Sequence, residues 1–132
     1  MAWGAFMSLR SPLGRVLGRG SARDGTEHWW AERISSVALV PLTLWFLVSL
    51  LALPDLGYAA VRGWLALPIS SLLAVLLVVT LAYHSHLGTT VVIEDYVHDA
   101  GLKVASLLIL RFLHVLAGGA SIFALLHIAF GA

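Results

Sequence analysis

The sequence contains no cysteine, so this chain cannot supply a disulfide, a thiolate-held zinc or a cysteine-ligated iron-sulfur cluster. Any metal it binds must be held by histidine or carboxylate. It is also poor in charge. Only 11% of its 132 residues are Asp, Glu, Lys or Arg, whereas 60% are hydrophobic and the mean hydropathy is +0.93. A soluble domain of this length does not have such a composition. The net charge of +1 gives no reason to expect nucleic acid, because the basic residues are gathered at one end rather than spread over a surface. What remains is three long apolar stretches, about Ile34 to Leu53, Leu65 to Ile93 and Leu102 to Phe130. Each meets the ~20 residues needed to cross a hydrocarbon core of ~30 Å as a helix. The expected fold is therefore an all-α membrane protein with three transmembrane helices.

The division read from the sequence is a basic tail and interfacial segment over residues 1–33, then a three-helix anchor over residues 34–132. Its spans are placed at about 34–53, 65–90 and 104–130. Arg10, Arg15, Arg19, Arg23 and Arg33 all precede the first span, and nothing after Arg111 is cationic. Positive residues stay on the cytoplasmic side, so the N-terminus is expected inside and the C-terminus outside. An arginine- and serine-bearing start without acids has the composition of an organellar transit peptide. Its glycines and Pro12 spoil an amphipathic helix, so a cytoplasmic tail that sets topology is the expectation.

Five ionisable groups interrupt the apolar stretches: His84, His86, Arg111, His114 and His127. Such groups are costly in a bilayer and usually serve a function. His84 and Gly88, four apart, share a helix face, while His86 points nearly opposite. A histidine one turn from a glycine suits a flat macrocycle, since the imidazole reaches the metal and the missing side chain lets the ring lie close. As a plain packing residue, His84 would instead hydrogen-bond to a neighbouring helix. His86 is expected to bond across the bundle or serve a proton path, and His127 to lie at the interface. Arg111 needs a partner, with Asp95, Asp99, a haem propionate or a lipid phosphate as candidates. Pro41 is expected to free a carbonyl near Val37, for a neighbour or Ser36 to satisfy.

At the membrane surface, Trp29 and Trp30 fit an interfacial belt, with the polar side chains of His28, Glu32 and Arg33 beside them. After the second span comes Glu94-Asp95-Tyr96-Val97-His98-Asp99. It reads either as an acidic loop at a helix N-terminus or as a site where Tyr96 donates to a lipophilic carbonyl and Asp95 orients it or relays a proton. In the third span the spacings Ala117-xxx-Ser121 and Ala120-xxx-Ala124 let backbones approach, which argues against a monomer.

His84-x-x-x-Gly88 followed by Glu94-Asp95-Tyr96-Val97, with His28-Trp29-Trp30-x-x-Arg33 before the first span, resembles the hydrophobic membrane anchor subunits of succinate dehydrogenase. These are the smaller anchors of respiratory complex II, and the wording is that of the alphaproteobacterial and mitochondrial branch. The resemblance covers about residue 24 to the end. It implies a non-catalytic anchor in a heteromeric helix bundle; with the first residues read as a cytoplasmic tail, the expected location is a bacterial inner membrane rather than a mitochondrial one. The implied partners are a larger cytochrome b-type anchor, an iron-sulfur subunit, a flavoprotein subunit and membrane lipid. The implied cofactor is a haem b shared with the larger anchor, with ubiquinone as substrate and FAD and iron-sulfur clusters confined to other subunits. Carried over by position, it makes His84 an axial haem ligand and Tyr96 with Asp95 part of the quinone site. It places Arg33 and His28 near the haem propionates and quinone.

A second reading comes from spacing: a hairpin centred near Asp99 puts His84 and His114 at similar depth, so both could ligate one haem within this chain. The other classes are a fumarate reductase anchor and a small transporter or channel subunit with intramembrane His and Arg.

Overall fold

The structure, a computed structural model, describes residues 21–131, so most of the basic tail, with Pro12 and the first three arginines, lies outside the described residues. Among the described residues four helices follow one another: α1 (Ser21–Leu51), α2 (Tyr58–Leu65), α3 (Pro68–Tyr96) and α4 (Ala100–Ala129). There is no strand among the described residues. Three of the helices are long and apolar enough to cross a membrane. At ~1.5 Å per residue, the 29 residues of α3 and 30 of α4 exceed the ~30 Å core, leaving turns for the headgroup zone or for tilt.

Compact packing divides the chain between Ala31 and Glu32. The described part of the first unit is the opening of α1, where the Trp29 and Trp30 rings meet edge to face at 5.3 Å. In the second unit α1 continues through Pro41 without a break in helical backbone. Ser36 donates to the Glu32 carbonyl at 2.7 Å, not to the carbonyl near Val37 that the proline was expected to free. A serine side chain is too short to serve the carbonyl next to it and reaches back about one turn instead.

The link from α1 to α3 is partly helical. Gly57 N–H donates to Asp55 Oδ1 at 2.7 Å, and a Cβ at Gly57 would sit 2.6 Å from that oxygen, so a larger residue there would displace the Asp55 side chain. The short helix α2 then lays Trp64 against Trp45 and Phe46 of α1, with ring centroids 5.6 and 5.8 Å apart. Pro68 opens α3, where its missing N–H costs nothing.

Helices α3 and α4 form a hairpin closed by the three residues between Tyr96 and Ala100. Asp99 caps α4, accepting from Leu102 N–H at 2.7 Å, and Lys103 Nζ donates to the Glu94 carbonyl at 3.0 Å. Further along, a Cβ on Gly118 would lie 3.5 Å from the Ala82 Cβ, which marks a close approach of the two helices. Thr80, Thr89, Thr90 and Ser121 return their hydroxyls to carbonyls one turn back, so these polar groups do not require a partner in lipid.

Among the described residues little is buried: Ala74 and Leu87 are the buried apolar residues, joined by Ser35, Ser70 and Ser71, and no residue of α4 is buried. A water-soluble fold could not leave so much apolar surface exposed. In a bilayer the same surface faces lipid or neighbouring helices, and the exposed small residues Ala117, Ala120, Ser121 and Ala124 form part of it.

Candidate functional site

His84 lies in the middle of α3 and is half buried against α1. Its Nδ1 is 2.9 Å from Ser35 Oγ, and Ser35 is 5% exposed. Ser35 also donates to the Glu32 carbonyl at 3.0 Å. A hydroxyl has one hydrogen, so with that hydrogen on the carbonyl the Ser35 oxygen accepts from His84 Nδ1–H. In that arrangement the imidazole's Nε2 carries a free lone pair. Metal-bound histidines have this arrangement, in which a bond to the second nitrogen fixes tautomer and ring orientation. One turn on, a Cβ added to Gly88 would meet nothing within 4 Å, leaving open space beside the imidazole's face of the helix. The residues present therefore fit one side of a haem site.

Ser35 was not singled out from the sequence, which drew attention to its neighbour Ser36. The available signal was a pair of hydroxyls at the start of an apolar span, without anything to say which one meets α3.

His86 and His114 occupy the other side of α3, as the roughly 200° between positions 84 and 86 requires. Their rings meet edge to face at 5.4 Å. His114 Nδ1–H donates to the Leu110 carbonyl at 2.9 Å, and Nε2 is 3.1 Å from Ser85 Oγ. Both nitrogens of His114 are thus engaged, and the structure joins it to Ser85 and His86. His86 and His114 border a cleft of about 380 Å³ together with Tyr83 and Arg111. Arg111 is exposed at its edge.

At the hairpin end, Asp95 and Tyr96 close α3, and Tyr96 is 79% exposed. Its phenol stands clear of this chain, available to a molecule or subunit at the membrane surface. Asp99 beside it is committed to capping α4. Arg33 is exposed two residues before Ser35 on α1. His28 is half buried in the first unit, and its Nε2 is a buried nitrogen without a hydrogen-bond partner among the described residues. His127 lies in the last turn of α4, with its ring 6.2 Å from that of Phe123.

Comparison with known proteins bears on this arrangement. The family described as "Succinate dehydrogenase/Fumarate reductase transmembrane subunit" matches residues 7–118. A succinate dehydrogenase hydrophobic membrane anchor subunit of Rickettsia bellii is 31% identical over 108 residues, covering 82% of this chain and 86% of that protein. The subunit of the same name in Paracoccus denitrificans is 31% identical over 99 residues, covering 75% and 77%. The succinate dehydrogenase membrane anchor subunit of Reclinomonas americana is 26% identical over 96 residues, covering 70% and 80%. The chain belongs to the succinate dehydrogenase/fumarate reductase transmembrane-subunit family, as a hydrophobic membrane anchor rather than a catalytic chain.

Proposed function

We propose that this chain anchors a succinate:ubiquinone oxidoreductase in a bacterial inner membrane, supplies one axial ligand to haem b through His84 Nε2, and forms part of the ubiquinone site with Tyr96 and Asp95. The single observation that carries the haem assignment is the bond of 2.9 Å between Ser35 and His84 Nδ1, which leaves Nε2 for iron. The open space at Gly88 supports it. So does the engagement of both His114 nitrogens, which favours a second axial ligand from the larger anchor subunit over one from this chain.

When bound, the haem supplies a one-electron redox centre whose potential is set by ligand basicity and burial. The residues of this chain then have separate tasks. Ser35 holds the His84 ring in place and keeps hydrogen on Nδ1. Tyr96 donates its O–H to a quinone carbonyl oxygen, a bond that strengthens as that oxygen gains negative charge during reduction. Asp95 orients that donor or passes a proton toward the same oxygen. The assignment of Arg33 and His28 to the neighbourhood of the propionates and quinone rests on the motif His28-Trp29-Trp30-x-x-Arg33. Electrons arrive from succinate through the flavin and iron-sulfur centres of the other subunits. The arginines before the first apolar span support an N-terminus in the cytoplasm and, after three spans, a C-terminus in the periplasm.

Purification through a tag on this chain in mild detergent tests the reading. The expected result is co-purification of a flavoprotein, an iron-sulfur protein and a second anchor, with succinate-dependent ubiquinone reduction. Isolation of a homo-oligomer without these subunits would favour the transporter class.

A further inference from the structure

The cleft between α3 and α4 lies on the opposite side of α3 from His84 and takes no part in the proposed haem or quinone site. Its polar groups gather at one end. Tyr83 and His86 of α3 and Arg111 of α4 line it there, and the wall then turns apolar through Val79, Val115 and Ile122. Both helices carry this gradient in the same sense. On α4 the apolar residues Val115 and Ile122 come after Arg111 and His114, moving away from the Lys103 end. On α3, which runs the other way, Val79 comes before Tyr83 and His86, again farther from the hairpin end.

Arg111 keeps its charge under all ordinary conditions. The sequence has no acidic residue between Asp55 and Glu94 or after Asp99, so neither α3 nor α4 carries a carboxylate at the depth of Arg111, and Glu32 of α1 lies beside Ser35, which meets His84 on the opposite side of α3. Among the described residues no ion pair or hydrogen bond to Arg111 is formed. The occupant of the cleft must therefore bring an anion to its polar end and an apolar body to the rest. Depth narrows the choice. Arg111 lies eight residues past Lys103, about 12 Å along the helix at ~1.5 Å per residue. The Cα–Cβ bond of a helical residue tilts toward the N-terminus, so the long stem carries the guanidinium back toward the Lys103 surface, where lipid phosphates lie. Gly119 keeps the cleft floor low, and a Cβ there would meet nothing within 4 Å.

We propose that this cleft binds one anionic phospholipid of the leaflet on the Lys103 side, with its phosphate on Arg111 and an acyl chain laid along Val115, Gly119 and Ile122. The polar-to-apolar order of the lining runs in the direction of a lipid in that leaflet, and the fixed charge selects an anion over a neutral headgroup or a quinone.

The test uses the whole complex, purified through this chain and reconstituted in nanodiscs of phosphatidylcholine containing a minority of phosphatidylglycerol. After exchange into detergent, retained lipid is identified by native mass spectrometry. The wild type is expected to retain phosphatidylglycerol at about one per copy of this chain. Arg111→Gln should retain roughly tenfold less, equivalent to about 1.4 kcal/mol, and Arg111→Lys most of it. Gly119→Leu fills the acyl slot and should lose the lipid with Arg111 intact. Subunit stoichiometry in size exclusion shows which variants are assembled; if Arg111→Gln is not, Gly119→Leu and the wild-type preference for phosphatidylglycerol decide. Equal retention in wild type and Arg111→Gln, full retention in Gly119→Leu, or a neutral lipid or quinone in place of phosphatidylglycerol would overturn the proposal.

Discussion

Replacing Ser35 by alanine removes one oxygen from a nearly closed site and leaves the His84 ring in place without its Nδ1 acceptor. Ser35 is 5% exposed, so water cannot readily take over the bond of 2.9 Å to the imidazole. A hydrogen bond of this kind contributes about 0.5–1.5 kcal/mol net. An acceptor on Nδ1–H makes Nε2 more basic and favours the oxidised, more positive iron. Its loss should therefore raise the haem midpoint potential, by about 20–65 mV if the whole contribution is differential, at about 59 mV per factor of ten for one electron. The assay is a potentiometric titration of the haem absorbance in the purified complex. Ser35→Thr keeps the hydroxyl and should stay near wild type. Ser36→Ala is the control, because Ser36 donates to the Glu32 carbonyl at 2.7 Å instead. An unchanged potential in Ser35→Ala with full haem content, or equal shifts in Ser35→Ala and Ser35→Thr, would refute the argument.

Three further outcomes follow from the geometry. His114→Ala should retain the haem band at normal intensity, because both its nitrogens are engaged elsewhere, and loss of the band would revive ligation by two histidines of this chain. Tyr96→Phe should raise the ubiquinone KM about five- to tenfold with haem content intact, the effect of about one hydrogen bond; steady-state succinate:quinone assays would show it, and unaltered kinetics would dismiss the assigned donor. Asp99→Ala removes the α4 cap and should cost about 1 kcal/mol, read as a lower thermal midpoint of the assembled complex.

The three spans were legible because an uninterrupted apolar run long enough for a bilayer needs no tertiary information to be recognised. The short helix α2 was not, since eight residues between Pro54 and Pro68 carry turn formers and apolar residues in a mixture that a loop also has. The opposite directions of His84 and His86 followed from helical phase alone. Which residue each would meet did not: equal depth suggested His84 with His114, yet phase turns His114 to Ser85 and His86. Ser35 stayed hidden for a related reason. Its partner lies 49 residues away, and nothing local distinguishes it from Ser36. The exposure of Tyr96 was foreshadowed by its place at the end of an apolar span among acids, where a phenol has no core to enter.

The central claim is that His84 holds a haem in a complex that oxidises succinate. The most direct test is a reduced-minus-oxidised optical spectrum of the mild-detergent complex purified through this chain, comparing wild type with His84→Ala. The account predicts a b-type band that co-purifies with succinate-reducible flavoprotein and is lost or shifted in the variant. An identical band in His84→Ala, or a wild-type complex with neither haem nor flavoprotein, would contradict it.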